Sequence, residues 1–517
     1  MVQFRIDSLQ KTNNLDDKKT VLEGGGPETE DLDLWHHQGY MLRDELDDER
    51  VTRWNRQGWC KPSCIPITVI LILIFLVVLL PLLDHAMEED NKLLNKHMRK
   101  LYENCPQSCR MSLIESIPQG LTYPNGSISL PSTYDTWSNL IDMAEETIEI
   151  GSFYWTLRRS EMWPDDSSEQ GENIFQGLLD AGTNRGIKIK IAQNWPTSSQ
   201  PNTDTEYLTR RGAAEVRSLN FAQINANGGG VLHTKLWVVD RKHFYVGSAN
   251  LDWRALTQVK EMGAVFYNCS CLAEDIAKIF DVYWMLGENP HIPDKWPDQF
   301  STKYNYDHPM NISFNNMSNY NFLTSIGSSP PTFCPEGRDS DIDTLLRVIQ
   351  LAEKFIYISV MDYSPLTVFT PRKQYWPVID NALRTAAIDH RIKVKMLISV
   401  WNHSHPSETN FLKSLQDITG SYPGVNLEVK RFKVPGTPEQ NKIPFARVNH
   451  NKYMVTDNTA YIGTSNWSGD YFTDTAGIGL MMHDPVLNRN TSELTVRGQL
   501  QAVFERDWNS EYAYPIE

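Results

Sequence analysis

The chain has 517 residues, a net charge of −15 and an ordinary share of apolar and aromatic residues. That length allows two or three domains with a sizeable core. The acidic balance argues against a nucleic-acid or anionic-membrane binder held by bulk electrostatics, while leaving room for a local cationic pocket.

Residues 1–64 are polar and acidic, with Gly24-Gly25-Gly26-Pro27 and the charged stretch from Asp44 to Arg50. Without sustained apolar periodicity they read as a disordered tail. Residues 65–83 carry no charge and are just long enough for one transmembrane helix. Arg53, Arg56 and Lys61 precede this run, and Asp84, Glu88, Glu89 and Asp90 follow it. That bias predicts a cytosolic tail and a lumenal body, a single-pass type II membrane protein. Glycosylation sequons at Asn125, Asn268, Asn311, Asn316, Asn402, Asn466 and Asn490 all follow the apolar run, in agreement. Cys60 and Cys64 at the cytosolic face are candidates for palmitoylation. In the lumen, Cys105, Cys109, Cys269 and Cys271 suit two disulfides better than a zinc site, leaving Cys334 as a free thiol.

Beyond a stalk and lead-in over 84–134, the chain repeats itself. Met143-Ala144-Glu145-Glu146-Thr147-Ile148-Glu149-Ile150 parallels Leu351-Ala352-Glu353-Lys354-Phe355-Ile356-Tyr357-Ile358. Ile187-Lys188-Ile189-Lys190-Ile191 parallels Ile392-Lys393-Val394-Lys395-Met396, each after an amphipathic helix. Ile279-Phe280 with Trp284 parallels Val503-Phe504 with Trp508. The expectation is an α/β fold after the transmembrane helix. Two pseudo-twofold-related halves, 135–287 and 336–517, each hold a mixed sheet flanked by helices, joined by a linker over 288–335.

Within each half lies one octet of the form His-x-Lys-(x)4-Asp: His233, Lys235 and Asp240, then His450, Lys452 and Asp457. A Gly-small-small-Asn turn follows each, ending at Asn250 and at Asn466. Strand alternation puts His and Lys on one face, aimed at one ligand. If the halves pack about a twofold axis, two His, two Lys and two Asn converge on a single site. That set suits a phosphodiester. Lys235, Lys452, Asn250 and Asn466 would donate to the non-bridging oxygens, where charge builds in the transition state. One His would attack phosphorus and the other would serve as general acid, then base. Asp240 and Asp457 are read as orienting the imidazoles or pairing with charge in the opposite half. No metal or other cofactor is expected, because the Lys residues take the place of a divalent ion. Tyr154, Trp155, Tyr363 and Trp401 are candidates to stack nucleobases. His403 and His405 read as surface loop.

These paired motifs resemble the phospholipase D superfamily. Ile117-Pro118-Gln119-Gly120-Leu121, Gly151 to Leu157, Asn268-Cys269-Ser270-Cys271 and Arg447 to Thr456 bring the likeness closer, to its type II membrane endolysosomal branch. The resemblance runs from about Cys105 to the C-terminus. It implies a lysosomal 5′-to-3′ exonuclease on single-stranded DNA and RNA, working through a phosphohistidine and limiting ligands of nucleic-acid-sensing Toll-like receptors. It also implies an alternative, a phosphatidyltransferase using lysophosphatidylglycerol to make bis(monoacylglycero)phosphate at the same site. A non-catalytic phosphodiester-binding scaffold is the third reading, and a homodimer is the assembly it allows. By the same resemblance His233 is the nucleophile and His450 the acid and base. The chain departs from the branch at Val400, where some relatives carry Cys, which implies that one family disulfide is absent.

Overall fold

Two β-sheets carry the site, and their strands fall where the sequence alternates. The computed structural model describes Phe75 and residues 109–516, apart from 159–162, 164, 226–227, 314–320, 371 and 486–494. The first sheet contains β1 (Arg110–Ser116), β2 (Thr147–Ser152), β4 (Lys188–Asn194), β5 (Ala214–Leu219), β6 (Leu236–Val239), β7 (His243–Gly247) and β9 (Glu261–Tyr267). Two short strands, β3 (Trp155–Thr156) and β8 (Leu251–Asp252), pair with each other beside it. The second sheet contains β10 (Met310–Ser313), β11 (Asn321–Ser329), β12 (Phe355–Val360), β13 (Lys393–Ser399), β14 (Leu427–Phe432), β15 (Lys452–Thr456), β16 (Thr459–Gly463), β17 (Gly477–His483) and β18 (Ala513–Pro515).

Spatial order is β1-β9-β7-β6-β2-β4-β5 in the first sheet and β10-β11-β17-β16-β15-β12-β13-β14-β18 in the second. Without β10 and β18 the two orders correspond strand for strand. In each, one parallel pair series (β2-β4-β5, β12-β13-β14) joins an antiparallel one. The stretch read as a linker contributes β10 and β11, and the lead-in contributes β1. Neither is a bare connection.

Alternation assigns the faces. Leu236 and Val238 of β6, and Tyr453 and Val455 of β15, enter one core shared by both sheets. Trp237 and Val239 face the outer core of the first lobe, and Met454 faces that of the second. The outer helices Thr133–Met143 and Asp341–Gln350 start alike. Ser132 Oγ accepts the Asp135 N–H at 3.0 Å, and Ser340 Oγ accepts that of Asp343 at 3.3 Å. The closing helices Ser270–Glu288 and Val496–Trp508 bury Phe280 and Phe504 in the shared core.

Two expectations are corrected. No helix among the described residues is long and apolar enough to cross a membrane. The expectations of a membrane-spanning helix and of a single-pass type II placement anchored by it are corrected accordingly. The run at 65–83 that prompted them lies, except for Phe75, outside the described residues, as do the 1–64 tail and Cys105. Of the expected bridges, Cys109–Cys269 is formed and Cys271 is also disulfide-bonded. Cys334 is a free thiol.

Candidate active site

Each catalytic-type histidine sits just before its strand, on a segment that pairs with the opposite lobe. The His233 N–H donates to the Ala476 carbonyl at 2.9 Å, and the His450 N–H donates to that of Lys260 at 2.8 Å. The pairing is reciprocal: the N–H of Ala476 donates to Val231, and that of Lys260 to Val448. So each imidazole is positioned by the half of the chain that does not carry it. Both line one cavity of about 360 Å³.

Their partners differ. Nδ1 of His233 lies 2.9 Å from the carbonyl oxygen of Thr464. A carbonyl can only accept, so Nδ1 carries the proton and Nε2 keeps the lone pair. Nδ1 of His450 lies 3.0 and 2.9 Å from the two carboxylate oxygens of Glu261, which also accepts the Ser248 hydroxyl. The register makes Gly477 the equivalent of Glu261, each two residues before the glycine paired across from Gly463 or Gly247. A Cβ at Gly477 would come within 2.3 Å of Ser465 Oγ. A side chain there would have to displace the Ser465 and Ser329 hydroxyls, and with glycine in place the carboxylate has no mirror image.

Electrostatics follow from burial. Burial, then the charges of Lys235 and Lys452, hold the His233 imidazole well below the ordinary histidine value. Burial also lowers His450, against the opposing pull of the Glu261 carboxylate. Both lysines are fully buried beneath the histidines, each Nζ donating to the carbonyl of its own motif's His. Burial and the charge of Lys452 depress the Lys235 ammonium strongly. Burial brings Lys452 down to about 7, opposed by Glu261 and Asp362. Asn250 and Asn466 both line the cavity, and the Oδ1 of each lacks a hydrogen-bond partner. An open amide oxygen accepts only, and the Asn466 amide nitrogen donates to Asp362 and to the Tyr471 hydroxyl. Asn466 is 2 % exposed, so its sequon is closed to glycosylation in the folded chain.

The two aspartates are elsewhere. Asp240 accepts the backbone N–H groups of Glu145, Glu146 and Thr147 at 2.7–2.8 Å. Asp457 accepts those of Glu353 and Lys354 at 2.9 and 3.0 Å. Four-residue spacing from Lys carries each to the far end of its strand, where it fixes the turn entering β2 or β12. Neither orients an imidazole, and that expected role is withdrawn.

Sequence reasoning missed Glu261, whose signal was a lone carboxylate opening the apolar run Met262 to Phe266 in one repeat only. It also missed Asp362, which lies 3.4 Å from the Asn466 amide and whose carboxyl burial raises to about 7. Of the stacking candidates, Trp155 and Tyr363 are core residues bonded to Ser152 and Asp380. Tyr154 and Trp401 line the cavity, Tyr154 donating to Asp252 at 2.9 Å. His403 lines it too, at its mouth.

Residues 126–437 match the family model described as PLD3/4, PLD-like domain. The chain is 44% identical to the 5′-3′ exonuclease PLD3 of Xenopus laevis, over 92% of this chain and 94% of that one. It is also 44% identical to PLD3 of Homo sapiens, over 80% and 82% of the two chains. The 5′-3′ exonuclease PLD4 of Mus musculus is again 44% identical, over 79% and 80%.

Proposed function

Because the chain belongs to the PLD3/4 family of phospholipase D-like proteins, we propose that it is a 5′-to-3′ exonuclease cleaving phosphodiesters of single-stranded DNA and RNA. The observation that carries the reading is the placing of His233 and His450, one from each half, on one cavity with unlike partners. The neutral His233, whose Nδ1–H donates to the Thr464 carbonyl, attacks phosphorus through Nε2. A P–N bond forms to the 3′-phosphate of the terminal nucleotide as the P–O bond to the 5′-oxygen of the remaining strand breaks. The imidazolium of His450, favoured by Glu261, gives its proton to that departing oxygen. Neutral His450 then takes a proton from water as the water oxygen attacks phosphorus, breaking the P–N bond and freeing His233. The Lys235 and Lys452 ammonium groups, with the amide nitrogens of Asn250 and Asn466 turned to the substrate, donate to the non-bridging oxygens.

Incubating the purified protein with a 5′-hydroxyl single-stranded oligonucleotide tests the reading. Stepwise loss of nucleotides from the 5′ end is expected. No cleavage by folded protein, with turnover of lysophosphatidylglycerol instead, would replace it with lipid phosphatidyl transfer.

A further inference from the structure

The mouth of the cavity displays two phenylalanines that the fold leaves uncovered. Phe369 is 70 % exposed and Phe445 53 %, and both line the cavity. Large apolar groups left in water at a concave site mark a binding surface. Each ends an aromatic series. Phe369 meets Tyr471 edge-on at 5.9 Å and 85°, and Tyr471 meets the His233 ring at 5.0 Å and 72°. Phe445 stacks on His403 at 4.9 Å and 19°, and His403 meets Trp401 at 4.7 Å. Phe445 also has φ +56, an uncommon left-handed backbone for a bulky residue. The buried Arg254 holds that bend, donating to the Pro444 carbonyl with its guanidinium 5.9 Å from the Phe445 ring.

Charge indicates what the rings are for. A single strand is held by cations along its phosphates or by rings under its bases. The one arginine or lysine among the described lining residues is Arg254, and Asp252 already accepts from its Nε and Nη2. Lys235 and Lys452 serve the reacting phosphate. The described lining therefore offers the neighbouring nucleotides aromatic faces rather than free cations. Ser199 and Gln200 in the same lining suit base edges rather than an acyl chain. Resting on the nuclease reading above, we infer that Phe369 and Phe445 are stacking platforms for the two nucleobases flanking the scissile phosphodiester.

The test compares kcat/KM for a 5′-hydroxyl oligothymidylate with that for the same oligomer carrying abasic tetrahydrofuran residues on either side of the first linkage. Wild-type protein prefers the base-bearing substrate. In Phe369→Ala and in Phe445→Ala that preference falls about tenfold, and Phe369→Tyr and Phe445→Tyr retain it. Single abasic residues report which ring serves which base. Equal loss on both substrates, or no loss on either, overturns the inference. So does loss confined to lysophosphatidylglycerol turnover, which would assign the rings to an acyl chain. Wild-type protein that cleaves neither oligonucleotide overturns the nuclease reading itself, an outcome distinct from the others.

Discussion

His450 and Glu261 stand 189 positions apart in sequence, yet Nδ1 of the imidazole lies 2.9 Å from a carboxylate oxygen of the glutamate. Nothing equivalent serves His233, because Gly477 occupies the matching place. A near-symmetric pair of motifs thereby becomes a chemically unequal pair, one imidazole facing a carboxylate and the other a backbone carbonyl.

Glu261→Gln keeps the shape and removes the charge. It should lower kcat/KM by about 10–100-fold, the usual effect of losing a partner that tunes a functional group. The alkaline limb of the pH profile should also move to lower pH, since the imidazolium loses the anion that favours it. A pH–rate profile measures both. An unmoved limb would mean that His450 is not the acid.

Lys452→Met removes a donor from the developing phosphorane and should cut kcat by about 10²–10³-fold. On the proposed function, in which Lys235 and Lys452 take the place of a divalent ion, wild-type turnover should persist in EDTA. Strict dependence on added metal would contradict that division of labour.

Asp240→Asn should act on stability. Its carboxylate accepts three backbone N–H groups, and weakening charge-assisted bonds of this kind costs about 2 kcal/mol. Urea unfolding would register that loss, while kcat per folded molecule stays within about twofold, far from the effect of losing a catalytic group.

Asp341 makes a pH-dependent contribution in the second lobe. It is fully buried, accepts the Tyr461 hydroxyl at 2.6 Å and leaves Oδ2 without a partner. Burial raises its carboxyl to about 7. The folded chain therefore holds this proton more tightly than the unfolded chain. The associated stability is full below the ordinary aspartate value of about 4 and is lost as pH rises through about 7. The difference in unfolding free energy between wild type and Asp341→Asn should thus shift between those two pH values. A difference independent of pH would contradict it.

The strands, helices and paired motifs were legible because each is a local pattern. The period-two runs at 147–152 and 355–360, and the His-x-Lys spacing, need no knowledge of the partner lobe. What escaped was long-range or depended on strand length. Glu261 reaches His450 only across the lobe interface. Asp240 and Asp457 look like members of a triad in sequence, but the strand between Lys and Asp carries them away from the imidazoles. The strands at 310–313 and 321–329 were hidden in a Pro-, Asn- and Ser-rich stretch, where pairing of β11 with β17 and of β10 with β11 overrides local composition.

The division of roles between the two histidines is tested most directly by trapping the covalent step. His450→Asn is mixed with a p-nitrophenyl ester of thymidine 3′-phosphate, whose leaving group departs without a proton. A burst of about one equivalent of nitrophenolate is predicted, with an acid-labile nucleotide adduct mapped by mass spectrometry to the peptide containing His233. An adduct on any other residue, or steady turnover with no burst, would contradict the account.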